Sequence, residues 1–217
     1  MSILNKLDQP RTGTPDESKN VKHSGEKAGL ALFASIGGFA LEIVKVVVIS
    51  LAIIIPVRYF LIQPFYVKGA SMEPNFYDNE YLMIDEISYR FDQPHRGDII
   101  VFKYPQNPSQ YFIKRVIGEP GEKIEIRNGH VIIYNNQNLR GEALDETAYL
   151  GTETYTSGSE TVELKDNEYF VMGDNREQSL DSRRIGPINK SYIVGRTWIR
   201  AWPLSKWRVF HDPIYNL

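Results

Sequence analysis

Cysteine is absent from all 217 residues. That excludes disulfide staples, thiolate nucleophiles and zinc–thiolate sites at once. Histidine is scarce: His23, His95, His130 and His211 are scattered, with no ligand spacing such as H-E-x-x-H, so neither a metal nor a cofactor is expected. Neither sign of charge dominates. With 25 Lys/Arg against 27 Asp/Glu the formal charge is −2, and no basic patch of the density that binds nucleic acid is present, so no nucleic-acid partner is expected. Internal repeats are lacking, and nothing after residue 63 carries strong helical periodicity.

One long apolar run stands out against these absences. Residues 1–27 are polar, aperiodic and read as a disordered tail. Residues 28–42 form an apolar juxtamembrane segment that contains Gly37-Gly38 and is too short to span a bilayer alone. The transmembrane helix is expected over residues 43–62, twenty residues, or about 30 Å of helix. Lys45 and Arg58 near its ends can snorkel toward the interfaces, which Tyr59 and Phe60 also suit. A cleavable signal peptide fits poorly, because the run is too long and no A-x-A site follows it promptly. Lys6, Lys19, Lys22 and Lys27, with Arg11, favour a cytoplasmic N-terminus. Residues 63–217 then face outward from a single-pass plasma-membrane protein. The first 63 residues carry seven Lys/Arg and five Asp/Glu, the remainder eighteen and twenty-two, so the exported part is mildly acidic.

From Pro64 onward, short apolar or alternating runs are separated by turn residues. Glu80–Ile84, Asp98–Phe102, Lys123–Ile126, His130–Tyr134, Tyr169–Met172 and Tyr192–Ile199 read as strands, and Asn128-Gly129 is a hairpin signal. The expected class is a mainly β domain behind one N-terminal transmembrane helix. Residues 135–166, polar and rich in Gly, Thr and Ser, read as an exposed loop or small hairpin.

Two residues in this domain carry chemistry. Ser71 lies in the turn Gly69-Ala70-Ser71-Met72-Glu73-Pro74, soon after the apolar run. Lys114 lies in Tyr111-Phe112-Ile113-Lys114-Arg115-Val116-Ile117-Gly118, a strand in which it shares a face with Phe112 and Val116 while Arg115 points the other way. A lysine between apolar neighbours is desolvated, which favours its neutral form. A neutral amine can take the proton of a serine hydroxyl, the chemistry of Ser-Lys hydrolases. In isolation the same residues are an ordinary turn serine and an edge-strand lysine.

Four blocks occur in order: Ser71-Met72-Glu73-Pro74; Arg96-Gly97-Asp98-Ile99-Ile100-Val101-Phe102; Tyr111 to Gly118; and Gly173-Asp174-Asn175-Arg176-x-x-Ser179-x-Asp181-Ser182-Arg183-x-x-Gly186. This set closely resembles the boxes of the type I signal peptidase family, and the likeness extends over residues 58–210, including Trp202-Pro203-Leu204. The resemblance implies a serine endopeptidase that removes signal peptides from secretory preproteins at a lipid bilayer. It implies Ser71 as nucleophile, Lys114 as general base, and Ser179 as the hydroxyl that orients the lysine. Asp174, Asp181, Arg115 and Arg183 match charged residues that hold the walls of the site by ion pairs. The substrate's cleavage region is implied to add as a strand between Pro64–Lys68 and the lysine strand, with Phe65, Val67, Met72 and Ile113 lining shallow apolar pockets.

The chain departs from the family at two positions. Gly69 stands where some members have a serine that donates to the oxyanion hole, which leaves backbone N–H groups, that of Ser71 included. Asn75 follows the proline, where the family often has Thr. Three rival readings remain: a self-cleaving Ser-Lys repressor of the SOS type, a triad of Ser71 with His95 and an Asp, and a membrane-anchored β-domain acting as a binding scaffold or inactive homologue.

Overall fold

The structure is a computed structural model that describes residues 37–56, 62–151 and 155–210. The expected tail 1–27, residues 28–36, Arg58, Tyr59 and Phe60 lie outside the described residues. The chain divides into two units, residues 1–54 and 55–217.

Helix α1, Gly37–Pro56, makes up the described part of the first unit and is long and apolar enough to cross a membrane. Residues 43–56 of the expected span fall within it, and residues 57–61 lie outside the described residues. Ile62, still apolar, is the first residue of a strand and pairs with Asp85.

The second unit is built of antiparallel strands: β1 (Ile62–Tyr66), β2 (Tyr81–Asp85), β3 (Ile99–Tyr104), β4 (Asn107–Gly118), β5 (Lys123–Arg127), β6 (His130–Tyr134), β7 (Glu142–Ala143), β8 (Glu160–Glu163), β9 (Glu168–Met172), β10 (Ile188–Asn189), β11 (Ile193–Trp202) and β12 (Arg208–Val209). Its α-helices are single turns: α2 (Ser88–Phe91), α3 (Thr147–Leu150) and α4 (Ser182–Ile185). One sheet runs β1-β2-β11-β3-β4-β9-β10, with β12 also on β11, and a second runs β7-β6-β5-β8.

Alternation explains the pairing. Ile124 and Ile126 of β5 and Val131 and Ile133 of β6 turn to one face, where they pack with Ile117, Phe170 and Met172 from the larger sheet. Asn128 and Gly129 both take positive φ, 55° and 83°, as a type I′ hairpin turn demands. Residues 135–166 do more than form a loop: they supply β7, α3 and β8, and bury Leu144, Tyr149, Thr156 and Leu164. Their apolar residues are too widely spaced to show a period, yet Leu144 and Leu164 join the core on the second sheet and Tyr149 lies against Arg115 of the larger one.

Strand β4 separates two other cores. Ile113 packs toward Val67, Met72, Phe76, Leu82, Ile84, Ile99 and Val101. Phe112 and Val116 pack on the opposite side, with Ile100, Phe102, Tyr169, Val171 and Ile188. Strand β9 reaches only as far as Arg115, which pairs with Met172. Beyond that point the β4 edge on the β9 side has no strand partner among the described residues, and Lys114 stands at this opening. Strand β1 ends the larger sheet, so its outer edge has no strand partner among the described residues either.

Candidate active site

Lys114 sits directly across β3–β4 from Ile100, one of the residues that dry its face. It is 3% exposed, and its amine lies 5.6 Å from the Phe112 ring centre. Nζ is 2.7 Å from Ser71 Oγ and 2.7 Å from the carbonyl oxygen of Ile113. Burial pulls its pKa down from 10.5 to about 8, against the opposing pull of Asp181 and then Asp174. Desolvation wins because both carboxylates are already committed to arginines.

Those commitments are specific. Asp174 accepts from Arg115 Nε and Nη2, both at 2.8 Å, and from Asn75 Nδ2 at 2.8 Å. Arg115 also donates to the Gly97 carbonyl at 2.9 Å and stacks 3.9 Å over Tyr149. Asp181 accepts from Arg183 Nε and Nη2 at 2.8 Å each and from the Gly173 N–H at 3.0 Å. Burial raises the Asp181 pKa, but the bonds and charge of Arg183 and the Gly173 N–H bond outweigh it, so the carboxyl lies below its ordinary range. Bidentate arginine–carboxylate pairs of this kind fix orientation as well as charge.

The loop that carries Ser71 is held from two sides. The Gly69 N–H donates to Asp78 Oδ1 at 2.7 Å, with Gly69 at φ +96°, a conformation that a side chain at this position would strain. Asn175 grips the other side: its N–H donates to the Ser71 carbonyl and its side-chain amide to the Ala70 carbonyl, both at 3.1 Å. A cleft opens in front of the pair, lined by Phe65, Val67, Gly69, Ser71, Leu82, Val101, Tyr111, Ile113 and Lys114. A hydroxyl beside a buried amine of lowered pKa, at the head of an apolar cleft between the edges of β1 and β4, is equipped for acyl transfer.

The family model described as "Signal peptidase, peptidase S26" matches residues 40–202. The chain belongs to the signal peptidase family, peptidase S26. Signal peptidase I of Leptolyngbya laminosa is 36% identical over 174 residues, covering 76% of this chain and 81% of that one. Signal peptidase IB of Staphylococcus aureus is 30% identical over 184 residues, covering 80% and 95%. A solved signal peptidase I from Enterococcus faecalis V583 is 31% identical, with a TM-score of 0.40 over 48% of this chain and 97% of that one.

In this signal peptidase-family chain the residues picked from sequence do not all take the places expected of them. Ser71 and Lys114 meet, and the Arg115–Asp174 and Arg183–Asp181 pairs form beside them. Ser179 makes no hydrogen bond to the lysine. Its buried Oγ helps hold Asp181 down but meets no partner in good hydrogen-bond geometry, and the Ile113 carbonyl steadies Nζ instead. Phe65, Val67 and Ile113 line the cleft, whereas Met72 is 1% exposed and belongs to the core beneath it. His95 is exposed and faces Asp92 at 3.9 Å, and no contact ties it to Ser71. Among the described residues no group of His, Asp and Glu could hold a metal ion.

Sequence reading passed over three contributors. Asn175 clamps the serine loop; Asn75 joins that loop to Asp174 and the Tyr149 carbonyl; buried Arg176 ties Glu146 and Thr156 to the Gly173 carbonyl. For Asn175 and Arg176 the signal was the density of polar residues in the last block, and Asn75 showed only as a departure after Pro74. Each role depends on a partner far away in sequence.

Proposed function

We propose that this chain is a membrane-anchored serine endopeptidase that removes N-terminal signal peptides from secretory precursors, with Ser71 as nucleophile and Lys114 as general base. The observation that carries the reading is the 2.7 Å approach of Nζ to Ser71 Oγ around an amine held at about 8. With the amine neutral, its lone pair accepts the hydroxyl proton as Oγ attacks the scissile carbonyl carbon. The resulting ammonium gives that proton to the leaving amine as the peptide bond breaks, leaving an acyl-serine. Neutral again, Lys114 takes a proton from water as the water oxygen attacks the acyl carbon, then returns that proton to Ser71 Oγ as the acyl–Oγ bond breaks and the signal peptide leaves with a new C-terminal carboxyl. The oxyanion is met by backbone N–H groups, because Gly69 offers no side-chain donor.

Asp174, Asp181, Arg115 and Arg183 act on the walls rather than on the substrate, holding the Gly173–Asn175 turn against the serine loop. The cleavage region adds as a strand between β1 and β4, its apolar side chains beside Phe65, Val67 and Ile113. Helix α1 spans the bilayer with the N-terminus in the cytoplasm and residues 64–217 outside. Tethering of the site near the bilayer that holds the substrate's apolar segment raises effective concentration.

The test uses full-length protein in detergent with a secretory precursor. Wild type is expected to release mature protein, while Ser71→Ala and Lys114→Ala each fall below about 1% of its rate. A Lys114→Ala enzyme above that level removes the lysine as base, and a large loss in His95→Ala revives the triad.

A further inference from the structure

Tyr149 does not line the substrate cleft, yet it touches two of the segments that build the site and reaches a third through Glu146. Its ring centre lies 3.9 Å from the Arg115 guanidinium of β4. Its carbonyl accepts from Asn75 Nδ2 at 2.7 Å, in the loop that carries Ser71. Its hydroxyl donates to Glu146 Oε1 at 2.7 Å, and the same carboxylate pairs with Arg176, which donates to the Gly173 carbonyl at 3.2 Å. Tyr149 is also the buried residue of α3, so its ring seats this single turn against the larger sheet.

An aromatic face laid on a guanidinium attracts the cation and shields it from water. Arg115 keeps Nε and Nη2 on Asp174 only while its plane is fixed, because a bidentate pair is directional. Behind this pair lies a cavity of about 150 Å³, lined by Arg115, Tyr149, Asp98, Arg196 and Arg208 as well as apolar residues.

We infer that Tyr149 is a positioning residue for the dyad: its ring clamps the Arg115 guanidinium on Asp174 and closes the site from behind. This rests on the peptidase reading above. The carboxylates whose charge reaches Lys114 are Asp181, paired with Arg183, and Asp174, paired with Arg115. Asp98, Arg196 and Arg208 share the cavity with Arg115, and Lys114 does not line it. With the clamp loosened, Asp174 is less fully neutralised and water comes closer to the lysine. Both changes favour the ammonium.

The test compares Tyr149→Ala and Tyr149→Phe with wild type, as full-length protein in detergent, reading kcat and KM for a secretory precursor across the pH limb. The alanine variant keeps the main-chain carbonyl that accepts from Asn75, so the ring and its hydroxyl are what is lost. In it the limb on which kcat rises should move up by about half a unit to one unit. That is a loss of about three- to tenfold at pH 7, which fades above the limb. KM should stay within about twofold, since Tyr149 does not line the cleft. Tyr149→Phe keeps the ring, and Glu146 still holds Arg176, so the wild-type limb is expected. If Tyr149→Ala folds poorly, Tyr149→Leu takes its place, with apolar bulk but no aromatic face, and the same upward shift is expected. An unmoved limb overturns the inference, and so does a loss equal at every pH, which marks a purely structural role. A limb that moves as far in Tyr149→Phe as in Tyr149→Ala overturns it too, by assigning the effect to the hydroxyl. Failure of the peptidase reading itself shows up separately, as cleavage surviving in Ser71→Ala.

Discussion

At the scale of single residues, the site depends on how dry Lys114 is kept. A shift from 10.5 to about 8 corresponds to roughly 3 kcal/mol of differential destabilisation of the ammonium. Because the folded value lies below the unfolded one, the fold carries this penalty in full below about pH 8, loses it as pH rises from there toward 10.5, and is free of it above. Cleavage should therefore rise with pH on one ionisation centred near 8, as measured by single-turnover rates in buffers of constant ionic strength. Phe112→Asp places an anion beside the amine and should move that limb up by about one unit or more. A rate that stays flat from pH 5 upward would remove Lys114 as the titrating group. Asp174 offers an opposite perturbation, since its charge raises the lysine's pKa. Asp174→Ala should move the limb downward in whatever activity survives. It also strands the buried Arg115 guanidinium, a loss of about 3–5 kcal/mol in urea unfolding; a loss below about 1 kcal/mol would mean that the pair is in effect solvated.

At the scale of elements, the nucleophile loop and the Gly173–Asn175 turn work as one unit. A Cβ added at Gly173 would fall inside van der Waals distance of the Ser71 carbonyl oxygen and of Ser179 Oγ. Gly173→Ala should thus displace Ser71 from Lys114 and lower kcat by about a hundredfold, since small misplacements of reacting groups are costly. Thermal unfolding should shift less than for Asp174→Ala, and near-wild-type turnover would show that the turn is free to slide. The alternation of β4 was legible in advance: Phe112, Lys114 and Val116 do share a face, and Asn128-Gly129 does make a tight hairpin turn. Residues 135–166 were not legible in this way, because short edge strands and one-turn helices are fixed by what they pack against rather than by their own period.

At the scale of the whole molecule, the proposed topology can be tested. Protease added to intact spheroplasts should digest the β-unit and spare an N-terminal tag, as expected if residues 64–217 lie outside. Digestion of the tag, or two protected fragments, would sink the single-span reading. The length and apolar character of a spanning segment were readable from composition, but not that Ile62 pairs with Asp85 in a strand, because a distant strand partner leaves no mark on composition.

The chain's own residues determined the class and put Lys114 on an apolar strand face, since strand alternation and desolvation are local properties that survive without a fold, while the charged residues around Ser71 and Lys114 were picked out by the resemblance of the block Gly173 to Gly186. Only tertiary structure decided that the Ile113 carbonyl, and not Ser179, hydrogen-bonds the lysine. The same holds for Met72, which lies under the cleft rather than in it, and for Asn75, Asn175 and Tyr111, which turn toward the site. Each of these depends on contacts between segments separated by tens of residues, and a one-dimensional pattern carries no distance between such segments. Where β9 stops pairing with β4 is likewise a matter of sheet register, and that end point leaves Lys114 open to the cleft.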